Sequence, residues 1–207
     1  MSRLETGQPD DRSYGKSAHL YDLFDRKENV EFFYRYGARA GEVLDVGAGT
    51  GRIAIPLAER GVKLCCVEPS PAMRREFEKK LARRPELRDA IHLVAGDARS
   101  FDVGRTFPAA FLSGCFDHFL DEEERLASLR NVGRHLVTGG VLVFDVFLGL
   151  MEDAPLSPAG RAEVGDREIR RCGPGSGRVR GHGSGEDYLF FAQRHTAIPL
   201  RSDASYT

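Results

Sequence analysis

Short apolar runs alternate along this chain with longer stretches in which apolar positions return every three or four residues. Val43, Leu44 and Val46 make the first run, Val62 to Val67 the second and Ile91 to Ala95 the third; Ala109 to Ser113 and Val141 to Phe147 are the fourth and fifth. Runs this short and this continuous predict strands buried on both faces. Between them, Ile53, Leu57 and Ala58 predict a helix ending near Gly61, and Met73, Phe77 and Leu81 a second with a core stripe. Leu126, Leu129, Val132 and Leu136 predict the apolar face of a third, with Thr138-Gly139-Gly140 as the turn after it. Ser70 followed by Pro71 is an N-cap with proline at the first helical position, and Asp121 with Glu124 has capping-box spacing. Strand and helix in regular succession predict an α/β fold, a doubly wound, mostly parallel sheet with helices on both faces.

The two ends depart from this rhythm. Two helices are predicted at about 17–26 and 28–40, the second with Val30, Phe33 and Tyr36 as its stripe. After Leu148 the chain turns rich in Gly, Pro, Arg and Ser, and Gly173, Gly175, Gly177, Gly181, Gly183 and Gly185 break any periodicity. The expected division is 1–148, N-terminal helices plus core, and 149–207, an irregular tail in the same domain or partly disordered. That tail is expected to hold at most one further strand, within 188–198. Arg170, Arg171, Arg178 and Arg180 read as a solvated basic loop, contact with an anionic substrate being the alternative.

The chemistry concentrates at strand ends. Asp45-Val46-Gly47-Ala48-Gly49-Thr50-Gly51 sets an acid and three alternate glycines where the first strand gives way to a helix, and glycine lets a ligand approach the main chain there. A dinucleotide fingerprint, G-x-G-x-x-G/A, fails because its last position is Arg52. Glu68 ends the second strand, at the ligand edge of such a sheet, where a carboxylate accepts from both hydroxyls of a ribose. Gly96-Asp97-Ala98 follows the third.

The D-x-G-x-G-x-G segment, Glu68 and Asp97 together resemble class I S-adenosylmethionine-dependent methyltransferases. The likeness to small-molecule enzymes with the Methyltransf_25-like domain covers about 14–148, including Tyr14-x-x-x-Ala18-x-x-Tyr21-Asp22. It implies S-adenosyl-L-methionine as cofactor, with Asp45 orienting the methionyl end through its amino group or an ordered water and Gly47, Ala48, Gly49 and Gly51 making room for it. It implies Glu68 at the ribose, Asp97 and Ala98 at the adenine, and Tyr21, Pro69 and Ser113 as further contacts. The N-terminal helices would fold over the cofactor as a lid. Transfer to a nitrogen or oxygen of a small molecule follows, with His118 as candidate base, because an imidazole exchanges protons near neutrality, and Tyr14 beside it.

Composition adds limits. At 207 residues, 41% hydrophobic and 29% charged, the chain suits a globular enzyme, and its formal net charge of −1 gives no global reason to expect a nucleic-acid partner. No apolar run approaches bilayer length, and a cytoplasmic address with no membrane partner, as monomer or homodimer, is the expectation. Cys65, Cys66, Cys115 and Cys172 show no zinc spacing, so no metal is expected, and Cys65 and Cys66 read as small core hydrophobes. Two other classes stay open: a nicotinamide oxidoreductase, disfavoured by Arg52 and by six tyrosines that lack Lys four residues later, and a cofactor-binding protein without transfer activity.

Overall fold

The first, second and fourth apolar runs become strands with both faces buried, while the third, with His92 and Ala95 exposed, lies at the edge of the sheet. The computed structural model describes residues 18–24, 29–119, 121–147, 156–164, 167–174 and 193–199. β1 (Glu42–Val46), β2 (Lys63–Glu68), β3 (Ile91–Ala95), β4 (Phe107–Leu112) and β5 (Leu136–Phe147) are mutually parallel in the order β3-β2-β1-β4-β5. Their C-terminal tips therefore share one edge, where ligands bind in such sheets.

Side chains alternate along each strand and divide the core in two. Val43, Leu64, Cys66, Phe111 and Val143 pack beneath α1 (Val30–Ala40), α2 (Ala54–Ala58) and Phe77 of α3 (Pro71–Ala82). Leu44, Val46, Cys65, Val67, Ala110 and Leu112 face the other way, toward Val132 of α4 (Glu122–Arg134). Cys65 and Cys66 are buried core residues.

Caps fall where their sequences put them. Ser70 Oγ accepts from the Met73 amide at 3.3 Å with Pro71 in the first turn, and Asp121 Oδ1 accepts from the Glu124 amide at 2.8 Å. The predicted apolar face of α4 needs correction. Leu126 is exposed and Leu136 opens β5, while Ser128, Asn131 and Val132 form the buried stripe. The polar Asn131 is accommodated because its amide donates to the carbonyls of Ala98 and Phe101 at 3.0 and 3.1 Å. The turn expected at 138–140 is an irregularity inside β5, whose pairing jumps from Phe107↔Leu136 to Ala109↔Val141 with Gly139 at φ +79°.

The first N-terminal helix is a 3-10 helix, Ala18–Phe24, and the second is α1. The tail differs more. Among the described residues three strands follow residue 148 where at most one was expected: β6 (Leu156–Val164) and β7 (Arg167–Pro174) form an antiparallel hairpin, and β8 (Gln193–Pro199) runs antiparallel on the outer edge of β5. Main-chain pairing needs no apolar alternation, and the register shift between Pro158 and Gly160 absorbs the proline that cannot donate. β6 also reaches the 3-10 helix Ala18–Phe24.

Candidate cofactor and acceptor site

Register and strand parity bring the polar groups together. Asp45 pairs with Cys66 and with Phe111, and Phe111 pairs with Val143. Glu68, Ser113 and Asp145 each lie two residues further along their chains, so all four point to the face covered by α1 and α2, at the tip edge.

The glycines serve different needs. A Cβ on Gly47, at φ +75°, would stand 2.6 Å from Cys115 Cβ, and one on Gly51, at φ +81°, 2.4 Å from the Phe77 ring. Those two settle packing. Gly49, at φ +57°, has nothing within 4 Å of its Cβ position and forms the open side of the loop. The loop amides are engaged within the chain: Gly47 and Ala48 donate to the Val67 carbonyl at 2.8 and 3.2 Å, and Gly49 to Glu68 Oε2 at 2.8 Å. Those amides are thus committed, while the face of Gly49 is open.

Glu68 is buried, with Ser70 N–H donating to Oε1 at 2.8 Å. Burial pushes its carboxyl up, opposed by the two backbone donors and by Arg74, whose guanidinium also donates to the carbonyls of Glu68 and Pro69 at 2.7 Å. Each Glu68 oxygen keeps a second lone pair for a hydroxyl. Asp45 is 1% exposed, and its Oδ2 has no partner among the described residues. Burial lifts its carboxyl to about 7, with Glu68 and Asp145 adding to the rise and Arg52 opposing it. A buried orphan acceptor is costly unless a donor arrives.

Asp97 holds Arg99 by two oxygens, the Arg99 Nη2 pair at 2.6 Å, and Arg99 continues to Glu124. The hydrogen bonds from Arg99 hold the Asp97 carboxyl below its usual range. Ala98 is buried beside it. Ser113 Oγ accepts from Arg52 at 2.8 Å. Cys115 donates its thiol to the Val46 carbonyl at 3.2 Å, which lays the turn Phe116–His118 beside the glycine loop. His118 is exposed there, and Tyr21 is exposed on the 3-10 helix. Tyr14 lies outside the described residues. No group of three His, Cys, Asp or Glu among the described residues is arranged for a metal, and no helix there is long and apolar enough to cross a membrane.

Sequence reasoning missed Asn29, Arg52 and Asp145. Asn29 and Asp145 are buried, and Arg52 entered only as the residue that breaks a fingerprint. The signal for Asp145 was present: a carboxylate inside Val141–Phe147 has no place in a doubly buried strand without partners.

The sheet order, the glycine loop after β1, the acids in the last two residues of β1 and β2 and the acid just after β3 define a Rossmann-like, class I methyltransferase fold. Residues 43–140 match the Methyltransferase domain family. That match takes in just under half of the chain. Cypemycin N-terminal methyltransferase from a Streptomyces species is 35% identical over 104 residues, which are 50% of this chain and 40% of the relative. The glycopeptide N-methyltransferase MtfA, solved with S-adenosylmethionine, is 29% identical at a TM-score of 0.56, over 72% of this chain and 65% of its own. The CcbJ methyltransferase from Streptomyces caelestis is 26% identical at a TM-score of 0.63, over 76% and 67%. The chain spans about half the length of the curated relatives it matches. The orphaned Asp45 oxygen and the open face of Gly49 fit a cofactor that carries an ammonium group.

Proposed function

We propose that this chain transfers the methyl group of S-adenosylmethionine to a nitrogen of a small molecule or short peptide. The observation that carries the reading is the buried, unpartnered Oδ2 of Asp45 beside the open side of Gly49 and one strand from Glu68. When bound, the cofactor supplies a methyl group made electrophilic by its sulfonium charge. In this reading Asp45 accepts from the methionyl ammonium and Glu68 from the ribose hydroxyls. Pro69, Asp97 and Ala98 flank the adenine, while Ser113, Tyr21 and the glycine loop close around the remainder. The site's work is to hold the acceptor in line and exclude water.

Nitrogen is favoured over oxygen because two of the similar proteins are named for methylation at nitrogen or at an N-terminus. A protonated amine must lose a proton before it attacks. His118, on the turn laid against the glycine loop, is the base of this proposal, and Tyr14, outside the described residues, is assigned to the acceptor with it. A cytoplasmic location accompanies the reading, in keeping with the free thiols of Cys65, Cys66 and Cys115. The test is transfer of labelled methyl to matched amine and hydroxyl acceptors, free amino acids, aminosugars and short peptides among them. Label on the amines alone supports the proposal. Label on hydroxyls alone overturns the choice of nitrogen, and cofactor binding without transfer to any acceptor overturns the enzymatic reading.

A further inference from the structure

The turn after β3 is held from two directions, by its own arginine and by α4. Arg99 reaches back over Asp97 with three donors: its amide and its Nε each donate to Asp97 Oδ1 at 2.8 Å, and Nη2 donates to Oδ2 at 2.6 Å. The remaining nitrogen, Nη1, donates to Glu124 Oε1 in the first turn of α4. Two turns along the same helix, the buried Asn131 donates from Nδ2 to the carbonyls of Ala98 and Phe101 at 3.0 and 3.1 Å. The carbonyl of Ala98 and the N–H of Arg99 belong to one planar peptide unit and point opposite ways. By taking the carbonyl, Asn131 aims that N–H at Asp97.

A count of acceptors shows what this leaves for a ligand. An ionised carboxylate offers about four lone-pair sites, two on each oxygen. Arg99 fills both sites of Oδ1 and one of Oδ2. One site on Oδ2 remains, on a side chain that is 20% exposed. Its direction is set by the guanidinium, because an arginine fork and a carboxylate pair edge to edge in one plane. The bonds from Arg99 also hold the carboxyl below its usual range, so it accepts and does not donate.

We propose that Arg99 is a positioning residue that sets base selectivity: it leaves Asp97 a single acceptor site of fixed direction, which takes the exocyclic amine of a 6-aminopurine and rejects a 6-oxopurine. The inference rests on the reading of the site as an S-adenosylmethionine pocket. An amine gives a proton to the open lone pair of Oδ2, whereas a 6-oxo group brings lone pairs of its own and faces the carboxylate unpaired. A carboxylate freed of the fork rotates, and it can then accept from the N1–H that a 6-oxopurine carries. A lysine at this position supplies the charge without two donors in fixed geometry.

Calorimetric titration of the full chain with S-adenosylhomocysteine and with its 6-oxo analogue, S-inosylhomocysteine, reads the selectivity as a ratio of affinities. The wild type should favour the 6-amino ligand by about thirtyfold or more. Arg99→Ala and Arg99→Lys should each lower that ratio by about tenfold, the lysine failing to restore it because the fork is gone. An arginine that only braced the turn would, when replaced, weaken both ligands by the same factor and leave the ratio where it was. Arg99→Lys, the milder change, carries the test if Arg99→Ala fails to fold. An unchanged ratio in either folded variant, or a wild type that binds the two ligands alike, overturns the assignment while leaving the pocket intact. A wild type that binds neither ligand overturns the pocket reading and the assignment with it.

Discussion

Acidification is expected to weaken cofactor binding through Asp45, and to do so with a magnitude that the burial of this one carboxyl sets. Its carboxyl titrates at about 7 in the ligand-free protein, chiefly because burial penalises the charge. An ammonium group binds the ionised form, so capture below that point must expel a proton. Affinity for S-adenosylhomocysteine should then fall about tenfold, or about 1.4 kcal/mol, for each pH step below about 7, and level off above it. Folding stability runs the other way. The native carboxyl holds its proton more tightly than the unfolded one, so this contribution is complete below about pH 4 and is lost as pH rises through about 7, a span worth on the order of 4 kcal/mol. Glu68 adds in the same direction, while Asp97 and Asp102, held down by their partners, act oppositely. The informative quantity is therefore the difference between wild type and Asp45→Asn. Calorimetry in two buffers of unlike ionisation enthalpy counts the protons released, and thermal denaturation across the same pH range follows stability. Binding that releases no proton near pH 6, or a stability profile identical in Asp45→Asn, would refute the reasoning.

Gly49→Ala and Gly51→Ala should part company. At Gly51 a positive φ and a Cβ within 2.4 Å of the Phe77 ring predict a stability loss of about 2–5 kcal/mol in denaturant titration. At Gly49 the strain alone predicts about 1–2 kcal/mol, with a larger loss of cofactor affinity because the new methyl enters the open side; equal affinity in that variant argues against the close approach. His118→Ala should lower the rate of methyl transfer by about a hundredfold or more at unchanged cofactor affinity if the imidazole is the base. Full turnover in that variant leaves catalysis to positioning. Asp121→Ala should cost about 1 kcal/mol of stability through the lost α4 cap, with no effect on ligand binding.

The parallel sheet was legible because its signals are local. Each of the five core strands grows from a short, mostly apolar run, and Ser70, Pro71 and Asp121 announce their helices by residue type alone. The acids at 45, 68 and 97 were legible for the same reason, since a strand tip is read from the run before it. What stayed hidden depends on partners that residue type and periodicity do not reveal. Asn29 meets Asp145 across 116 positions, and nothing near either residue marks the pairing. Asp97 reads as a free acceptor until Arg99 and Glu124 are placed around it. The stripe of α4 misled because Asn131 is buried through main-chain carbonyls that periodicity cannot show. The hairpin β6–β7 is held by main-chain pairing, which leaves little trace in a run of Gly, Pro and Arg.

Calorimetric titration of wild type and Glu68→Gln with S-adenosylhomocysteine bears most directly on the claim that the cofactor lies across the tips of β1, β2 and β3. Glutamine keeps the size of the side chain and an acceptor for one of the two amides of Gly49 and Ser70, sets its NH2 against the other, and removes the charge offered to the ribose. One-to-one binding by the wild type is expected, weakened by about 1–3 kcal/mol in the variant, the loss that follows when hydrogen bonds to a charged group are removed. Equal affinity in a folded Glu68→Gln, or no binding by the wild type, would contradict it.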